Sequence, residues 1–261
     1  MLFRSKGGLC ILYYGKTDTG KTYSIGTLPG KTYIIVTEPK DPRTVLAWAG
    51  DKIEFFECED FNDYMDLLAK WHKLAAQNQL EANNIVFDSL SFLMSKFKIK
   101  FEDDHFDRES WKIEAKKSDK KDVTLYDRFS MGDDTLMGWG GLASIMKRVT
   151  DQLNYISQYG KIVLATATEL ENPRARYDGV TFNYAPSFQG REYPNAMSGY
   201  FHLIGRIVKG WRINEDDTIS PPIISFHSDD DDYVARSVSS IGRKTRGRLN
   251  WTKIINLVRG K

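Results

Sequence analysis

The sequence predicts an α/β fold, in which a mostly parallel central sheet is flanked by helices and antiparallel strands lie at the C-terminal edge. Three observations lead to this prediction. Short, almost wholly apolar segments alternate with segments of helical periodicity, which is typical of parallel strands covered on both faces. A glycine-rich turn follows the first apolar segment. Short segments of alternating polarity near the C-terminus favour antiparallel strands.

The same patterns predict the individual elements. The predicted strands are 9–14, 31–37, 52–56, 84–88 and 161–168. The predicted helices are 44–50, 61–76, 90–101 and 142–159. The predicted antiparallel strands lie within 199–208 and 222–227. The charged segment 102–134 is predicted to be a surface insertion, which Trp139-Gly140-Gly141 closes.

Length and composition bound the class of protein. The chain has 261 residues, of which 41% are hydrophobic, and no linker divides it, so a single domain over residues 1–261 is expected. No apolar run is long enough to span a bilayer, and no signal peptide is recognisable at the N-terminus. Cys10 and Cys58 are too few for a disulfide framework. We therefore expect a cytoplasmic protein without a membrane partner, in the host cytoplasm if it is viral.

Charge is uneven along the chain although the net charge is only +2. Residues 233–261 contain several lysines and arginines but no acidic residue, and they follow a run of four aspartates at 229–232. This basic C-terminal segment has two interpretations. It contacts nucleic acid or the phosphates bound by a neighbouring subunit, or it is a solvated terminal segment.

The strongest motif is Gly15-Lys16-Thr17-Asp18-Thr19-Gly20-Lys21-Thr22, which fits the phosphate-binding pattern G-x-x-x-x-G-K-[ST]. It lies between a predicted strand and a helix, where the backbone N–H groups of such a loop surround a polyphosphate. These eight residues and Tyr23 are the predicted nucleotide contacts. Lys21 would reach the β- and γ-phosphates, and the Thr22 hydroxyl would bind Mg²⁺.

Polar residues at the ends of the other predicted strands complete a candidate site, because parallel strands end at one edge of a sheet. Asp88 follows Ile85-Val86-Phe87 and is the predicted second ligand of Mg²⁺. Ser89 stands where many ATPases have a catalytic glutamate, so Glu38 is the candidate base that activates water; the alternative is a surface glutamate before a proline turn. Thr166 and Thr168 share a strand face, so the sequence does not decide which one senses the γ-phosphate, or whether both are ordinary strand threonines.

Together these motifs resemble the RecA-like P-loop ATPases, and more narrowly the single-domain RecA-like ATPases of bacteriophages that act as recombinases or assist annealing. The resemblance covers most of the chain, including 35–38, 85–89, Trp139-Gly140 and 163–169. It implies ATP and Mg²⁺ as cofactors. It also implies that Glu38 stands at the position of the family's catalytic glutamate. Lys21, Glu38 and Thr168 are thus the predicted catalytic residues.

The resemblance further implies a homo-oligomer, ring or filament, that binds single-stranded DNA. The segment 170–194 corresponds to a DNA-binding loop, and its predicted contacts are Arg174, Arg176, Tyr177 and Arg191 among further aromatic residues. Aromatic residues between cations suit single-stranded DNA, although a loop that packs its rings on the core is the alternative. Arg243 and Lys244 are the candidates for the cation that one subunit supplies to its neighbour's site.

The expected function is therefore a Mg²⁺-dependent ATPase that binds single-stranded DNA in phage-type recombination, annealing or replication, with a phage annealing or single-strand-binding protein as a further partner. Two alternatives remain open from the sequence. One is an ATP-driven motor or loader of the helicase or packaging type. The other is a nucleotide-gated assembly protein with little turnover.

Overall fold

The computed structural model describes residues 7–99, 136–173, 182–213, 219–228, 232–237 and 246–260. The segment 102–134, predicted to be an insertion, therefore lies outside the described residues.

The helices and strands have the following bounds. The strands are β1 (Leu9–Gly15), β2 (Thr32–Val36), β3 (Ile53–Glu57), β4 (Asn84–Asp88), β5 (Ile162–Glu171), β6 (Tyr184–Pro186), β7 (Leu203–Lys209), β8 (Arg212–Ile213), β9 (Ile219–Ser220), β10 (Ile223–Ser225) and β11 (Arg246–Arg248). The helices are α1 (Lys21–Ile25), α2 (Arg43–Leu46), α3 (Phe61–Ala76), α4 (90–99), α5 (Leu136–Gln158), α6 (Glu192–Ala196) and α7 (Trp251–Val258).

The main sheet has the strand order β11-β10-β7-β1-β5-β4-β2-β3, and β6 pairs with the end of β5. The strands β7, β1, β5, β4, β2 and β3 are parallel to one another. At the edge of the sheet, β10 pairs antiparallel with β7, and β11 pairs antiparallel with β10. The predicted α/β fold with antiparallel strands at one edge is thus confirmed. The predicted strands within 199–208 and 222–227 correspond to β7 and β10, which pair antiparallel as expected, while β7 also pairs parallel with β1 on its other side.

Alternation along β1 divides the core into two layers, one on each face of the sheet. Cys10, Leu12 and Tyr14 belong to the layer that packs under α3 and α5. Ile11 and Tyr13 belong to the layer that packs under α1 and α7. All seven residues of β1 are buried, as expected for a central strand covered on both faces.

Helix α3 lies where the sequence predicts it, because its start is well specified. Asp60 caps the helix by accepting from the backbone N–H groups of Asn62 and Asp63, and the Asp63 side chain accepts from the backbone N–H of Asp60 in return. Trp71 then packs on the rings of Tyr33 and Phe56 across β2 and β3.

Helix α5 starts earlier than predicted. Residues 139–141, expected to close the insertion, lie inside the helix. Glycine disfavours a helix by about 1 kcal/mol relative to alanine, but Leu142, Met146 and Val149 are fully buried on the sheet, and this packing outweighs the local preference. The predicted helix 44–50 is instead α2 followed by a 3₁₀ segment, Ala47–Lys52, in which Gly50 has a φ of 61°.

Helix α7 packs behind the glycine-rich loop. Trp251 is fully buried, its ring lies 4.7 Å from that of Tyr13, and its Nε1 donates to the Ser24 Oγ. Within the described residues, no helix is both long and apolar enough to cross a membrane.

Candidate functional site

Parallel pairing brings the ends of β1, β2, β4 and β5 to one edge of the sheet. Gly15 at the end of β1 is in register with Thr168 of β5, and Val36 at the end of β2 is in register with Asp88 of β4. The backbone N–H of Thr37 donates to the Asp88 carbonyl, which holds the start of the next loop beside β4. Residues far apart in sequence therefore surround the glycine-rich loop.

The loop itself is held by Lys21. This side chain is only 8% exposed, and its Nζ donates to the carbonyl oxygens of Gly15 (2.9 Å) and Lys16 (2.7 Å). Burial lowers the pKa of Lys21, while the nearby carboxylates of Glu38 and Asp88 oppose this shift. A buried ammonium group at the start of a helix, inside a curved loop, is suited to bind an anion.

Asp88 is the polar centre of the site. Its two carboxylate oxygens accept from different elements, from the Thr22 hydroxyl at 2.8 Å and from the Thr166 hydroxyl at 2.6 Å. Burial raises the pKa of Asp88, and the bonds from both threonines oppose the rise. The carboxylate therefore connects the glycine-rich loop 15–22, the predicted phosphate loop, to β5.

Glu38 lies beside this group, two residues beyond the end of β2. Burial raises its pKa first, and the charge of Asp88 raises it further, whereas a hydrogen bond from Ser89 and the charge of Lys21 oppose both effects. Glu38 also lines the cleft next to the loop. It is partly buried and near the other charged groups, unlike a freely solvated surface glutamate.

The structure separates the two threonines that the sequence left together. Thr166 is fully buried and its hydroxyl is used by Asp88. Thr168 lines the cleft, and its backbone N–H donates to the Ser91 Oγ. Of the pair, Thr168 is thus the one placed to contact a ligand in the cleft.

The cleft has a volume of about 1000 Å³ and includes six of the nine predicted nucleotide contacts. Its wall also contains residues that sequence reasoning missed: Pro39, Lys40, Asp41, Pro42, Val45, Phe92 and Trp211. Those at 39–45 follow Glu38 directly, so the strand-end argument could have included them. Phe92 and Trp211 come from α4 and from the turn after β7, and no motif marks either one.

Two ion pairs lie at the side of the loop nearest β5. Arg206 of β7 donates to both carboxylate oxygens of Glu169, at 2.8 and 3.4 Å, and its guanidinium lies 3.5 Å from the centre of the Tyr184 ring. Lys16, in the phosphate loop, pairs with Glu171 at 2.6 Å. Both carboxylate oxygens of Glu169 therefore accept from Arg206, and the ion pair of Glu171 with Lys16 connects the loop to the end of β5.

The predicted DNA-contacting residues are not brought together in the described part of the chain. Arg174, Arg176 and Tyr177 lie outside the described residues, and Arg191 is exposed just before α6. For two of the segment's aromatic residues the structure supports the alternative, in which the rings pack on the core. Phe188 and Tyr193 are fully buried and pack edge to face at 5.0 Å, because they complete the core beneath α5.

Arg243 and Lys244, the candidates for a cation donated to a neighbour, also lie outside the described residues. A described cation that sequence reasoning missed is Lys209. Because β7 is parallel to β1, this residue ends its strand at the same sheet edge as the phosphate loop, and its side chain is exposed.

The donor set of the site suits Mg²⁺. The Thr22 hydroxyl and the Asp88 carboxylate are oxygen ligands in direct contact with one another. Among the described residues, no cluster of three or more histidine, cysteine or acidic side chains could hold a metal by itself. Mg²⁺ commonly keeps several waters and uses one or two protein oxygens together with phosphate oxygens, so two protein ligands beside a phosphate loop fit this ion.

Two solved structures are similar to this chain over most of its length. A RadB recombinase covers 83% of this chain with 79% of its own, at 13% identity and a TM-score of 0.42. A KaiC-like protein from the hyperthermophilic archaeon Pyrococcus horikoshii covers 83% with 77% of its own, at 11% identity and a TM-score of 0.40. Because both TM-scores are below 0.5, the description of the fold rests on the strand order and pairing of this chain. No protein-family model and no curated protein matches the sequence.

Proposed function

We propose that this protein is a Mg²⁺-dependent ATPase of the RecA-like kind. The observation that carries the proposal is the shared carboxylate of Asp88, which accepts from Thr22 of a complete phosphate loop and from Thr166 of β5. This arrangement supports the proposal, because two oxygens suited to Mg²⁺ lie beside the lysine and backbone N–H groups that would hold a triphosphate.

In the proposed mechanism the loop 15–22 surrounds the β- and γ-phosphates, and Lys21 exchanges its bonds to the loop carbonyls for phosphate oxygens. Thr22 and Asp88 would hold Mg²⁺, which neutralises charge on the phosphates. Glu38 orients the attacking water and accepts its proton. Thr168, at the cleft wall, hydrogen-bonds the γ-phosphate or that water.

The first test measures binding of ATP by isothermal titration calorimetry with Mg²⁺ and with excess chelator. Lys21→Ala is expected to abolish Mg²⁺-dependent binding, because it removes the buried cation of the loop. Lys70→Ala, an exposed lysine on α3, is the matched control and is expected to bind as the wild type does. Absence of binding by the folded wild-type protein would overturn the proposal.

We further propose that the ATPase acts as an oligomer on single-stranded DNA, in phage-type recombination, annealing or replication. One structural feature supports a link between DNA and the nucleotide. The predicted DNA-binding segment 170–194 begins within β5, and Thr168 of the same strand lines the cleft.

Stimulation of ATP hydrolysis by single-stranded oligonucleotides tests the DNA part of the proposal. We expect stimulation to be lost when Arg174 and Arg176 are both replaced by alanine, with the unstimulated rate retained. A rate that does not respond to saturating oligonucleotide would leave the ATPase in place but would remove its role on single-stranded DNA.

A further inference from the structure

The residues proposed to bind the nucleotide contact its phosphates and Mg²⁺ but not its base. A second cavity adjoins the cleft. This cavity has a volume of about 220 Å³. Gly20, Tyr23 and Trp211 line both spaces, so the cavity begins where the phosphate loop ends. The space can hold a purine base, although it is too small for a whole nucleotide.

Aromatic rings form the wall between the cleft and this cavity. Tyr23 and Trp211 meet edge to face, with ring centres 5.1 Å apart. Both rings are large and partly exposed, at 39% and 38% of their surfaces, so they can still accept a stacked ring. On the other side of Tyr23, Trp48 packs at 5.0 Å, but it lines neither space.

The indole of Trp211 lies directly against Gly20 of the loop. Gly20 has a φ of 88°, and a Cβ on it would lie 2.3 Å from the Trp211 Nε1 and 2.9 Å from Pro222 Cγ. The indole is therefore in close contact with the backbone that would bind phosphate. A nucleoside that leaves the loop past Thr22 and Tyr23 reaches this indole next.

Two hydroxyl groups of the cavity lining are already engaged in hydrogen bonds. The Ser24 hydroxyl already donates to the Lys21 carbonyl and accepts from Trp251 Nε1. The Thr27 hydroxyl donates to the Ser24 carbonyl and accepts from the Trp251 backbone N–H.

Further polar groups lie at the rim of the cavity. Asn250 Oδ1 accepts from the Lys253 backbone N–H as the cap of α7. The lining also includes Arg248 and Lys253, whose side chains only donate. These donors match the acceptor nitrogen N7 that adenine and guanine share.

We propose that the second cavity binds the purine base of the nucleotide, stacked on Trp211. This inference rests on the proposed nucleotide binding. It adds the base-binding residue and the class of substrate, which is a purine nucleoside triphosphate.

The experiment compares ATP, GTP and inorganic tripolyphosphate, each with Mg²⁺, by isothermal titration calorimetry. Stacking on an aromatic ring contributes enough that Trp211→Ala is expected to weaken ATP and GTP about 10-fold each. Tripolyphosphate, which has no base, is expected to bind equally well to both proteins. Trp211→Phe keeps a ring and is expected to restore most of the lost affinity.

Trp48→Phe is the matched control, because it changes a tryptophan of the same ring cluster that lines neither space. Tryptophan fluorescence gives an independent readout. ATP is expected to quench emission in the wild type and in Trp48→Phe, but much less in Trp211→Phe, which still binds ATP.

The outcomes separate the two proposals. If the wild type binds none of the three ligands, nucleotide binding fails and the base site fails with it. If ATP binds but Trp211→Ala leaves its affinity unchanged, or weakens tripolyphosphate equally, the base site alone is overturned.

Discussion

At the scale of single residues, the two carboxylates of the site have different surroundings. Asp88 accepts hydrogen bonds from two threonines, and these bonds stabilise its charge. Burial raises the pKa of both carboxyl groups, but the pKa of Glu38 is raised further by the neighbouring charge of Asp88. A carboxylate with a raised pKa is a stronger base than an exposed one, which suits Glu38 to accept a proton from water.

Glu38→Gln is expected to lower ATP turnover by about 10²- to 10⁴-fold, the range for loss of a general base. Affinity for ATP should change little, because an amide of the same shape remains in the cleft. Phosphate release measures turnover and calorimetry measures binding. Glu59→Gln, an exposed glutamate before α3, is the control. Unchanged turnover in Glu38→Gln would exclude Glu38 as the base.

The raised pKa of Glu38 also predicts how turnover depends on pH. The ionised form is the base, so activity is present above this pKa and is lost as the pH falls through it. The acid limb of the pH–rate profile is therefore expected above the ordinary pKa of glutamate. The residual activity of Glu38→Gln should lack this limb; a limb retained in that variant would belong to another group.

At the scale of elements, the phosphate loop depends on contacts from the turn after β7 as well as on its own sequence. Gly20 combines a left-handed backbone with the close approach of Trp211 and Pro222. A side chain at this position would therefore have to displace the wall of the base cavity. Loop geometry and cavity geometry are linked through this one glycine.

Gly20→Ala is expected to destabilise the protein by about 1–2 kcal/mol from backbone strain, with a further loss from the collision with Trp211. It should also abolish Mg²⁺-dependent ATP binding. Urea unfolding and calorimetry measure the two effects. Gly247→Ala is the control, because no atom lies within 4 Å of the added methyl group and its φ is ordinary. Wild-type stability in Gly20→Ala would contradict the described packing.

At the scale of the whole molecule, helix α7 supports the site from behind. Trp251 fills the space under Tyr13, and its indole and backbone N–H groups donate to Ser24 and Thr27 beyond the start of α1. Ser24 and Thr27 come shortly after the phosphate loop in the chain. Packing of α7 therefore holds the helix whose first turn would bind phosphate.

Trp251→Ala is expected to lower the free energy of unfolding by about 3–5 kcal/mol, as for other large aromatic residues removed from a core. ATP affinity should fall too, because α1 loses the contacts that hold it. Chemical denaturation measures the first effect and calorimetry of the folded variant the second. Trp48→Ala, half-exposed, provides the comparison and should cost much less. Similar losses in both variants would contradict the role assigned to α7.

Much of this architecture could be predicted, and particular residues show where prediction stopped. Lys21 and Thr22 lie in one continuous motif, and parallel strands bring Glu38 and Asp88 to the same edge of the sheet. The local pattern and the topology were therefore sufficient to predict these four site residues. Trp211 could not be found, because its contact with Gly20 depends on the direction of β7, which burial does not encode. Phe188 and Tyr193 belong to a segment whose mixture of cations and aromatic residues is typical of a nucleic-acid-binding loop, but both rings are buried beneath α5.

The place of β1 in the sheet has a consequence for biosynthesis. Its two neighbours are β5 and β7, which begin only at Ile162 and Leu203. A nascent chain emerging from the ribosome thus carries the glycine-rich loop long before either partner strand exists, and the apolar sides of β1 remain unprotected during that time. We expect nucleotide to assist maturation only after β7 has been translated.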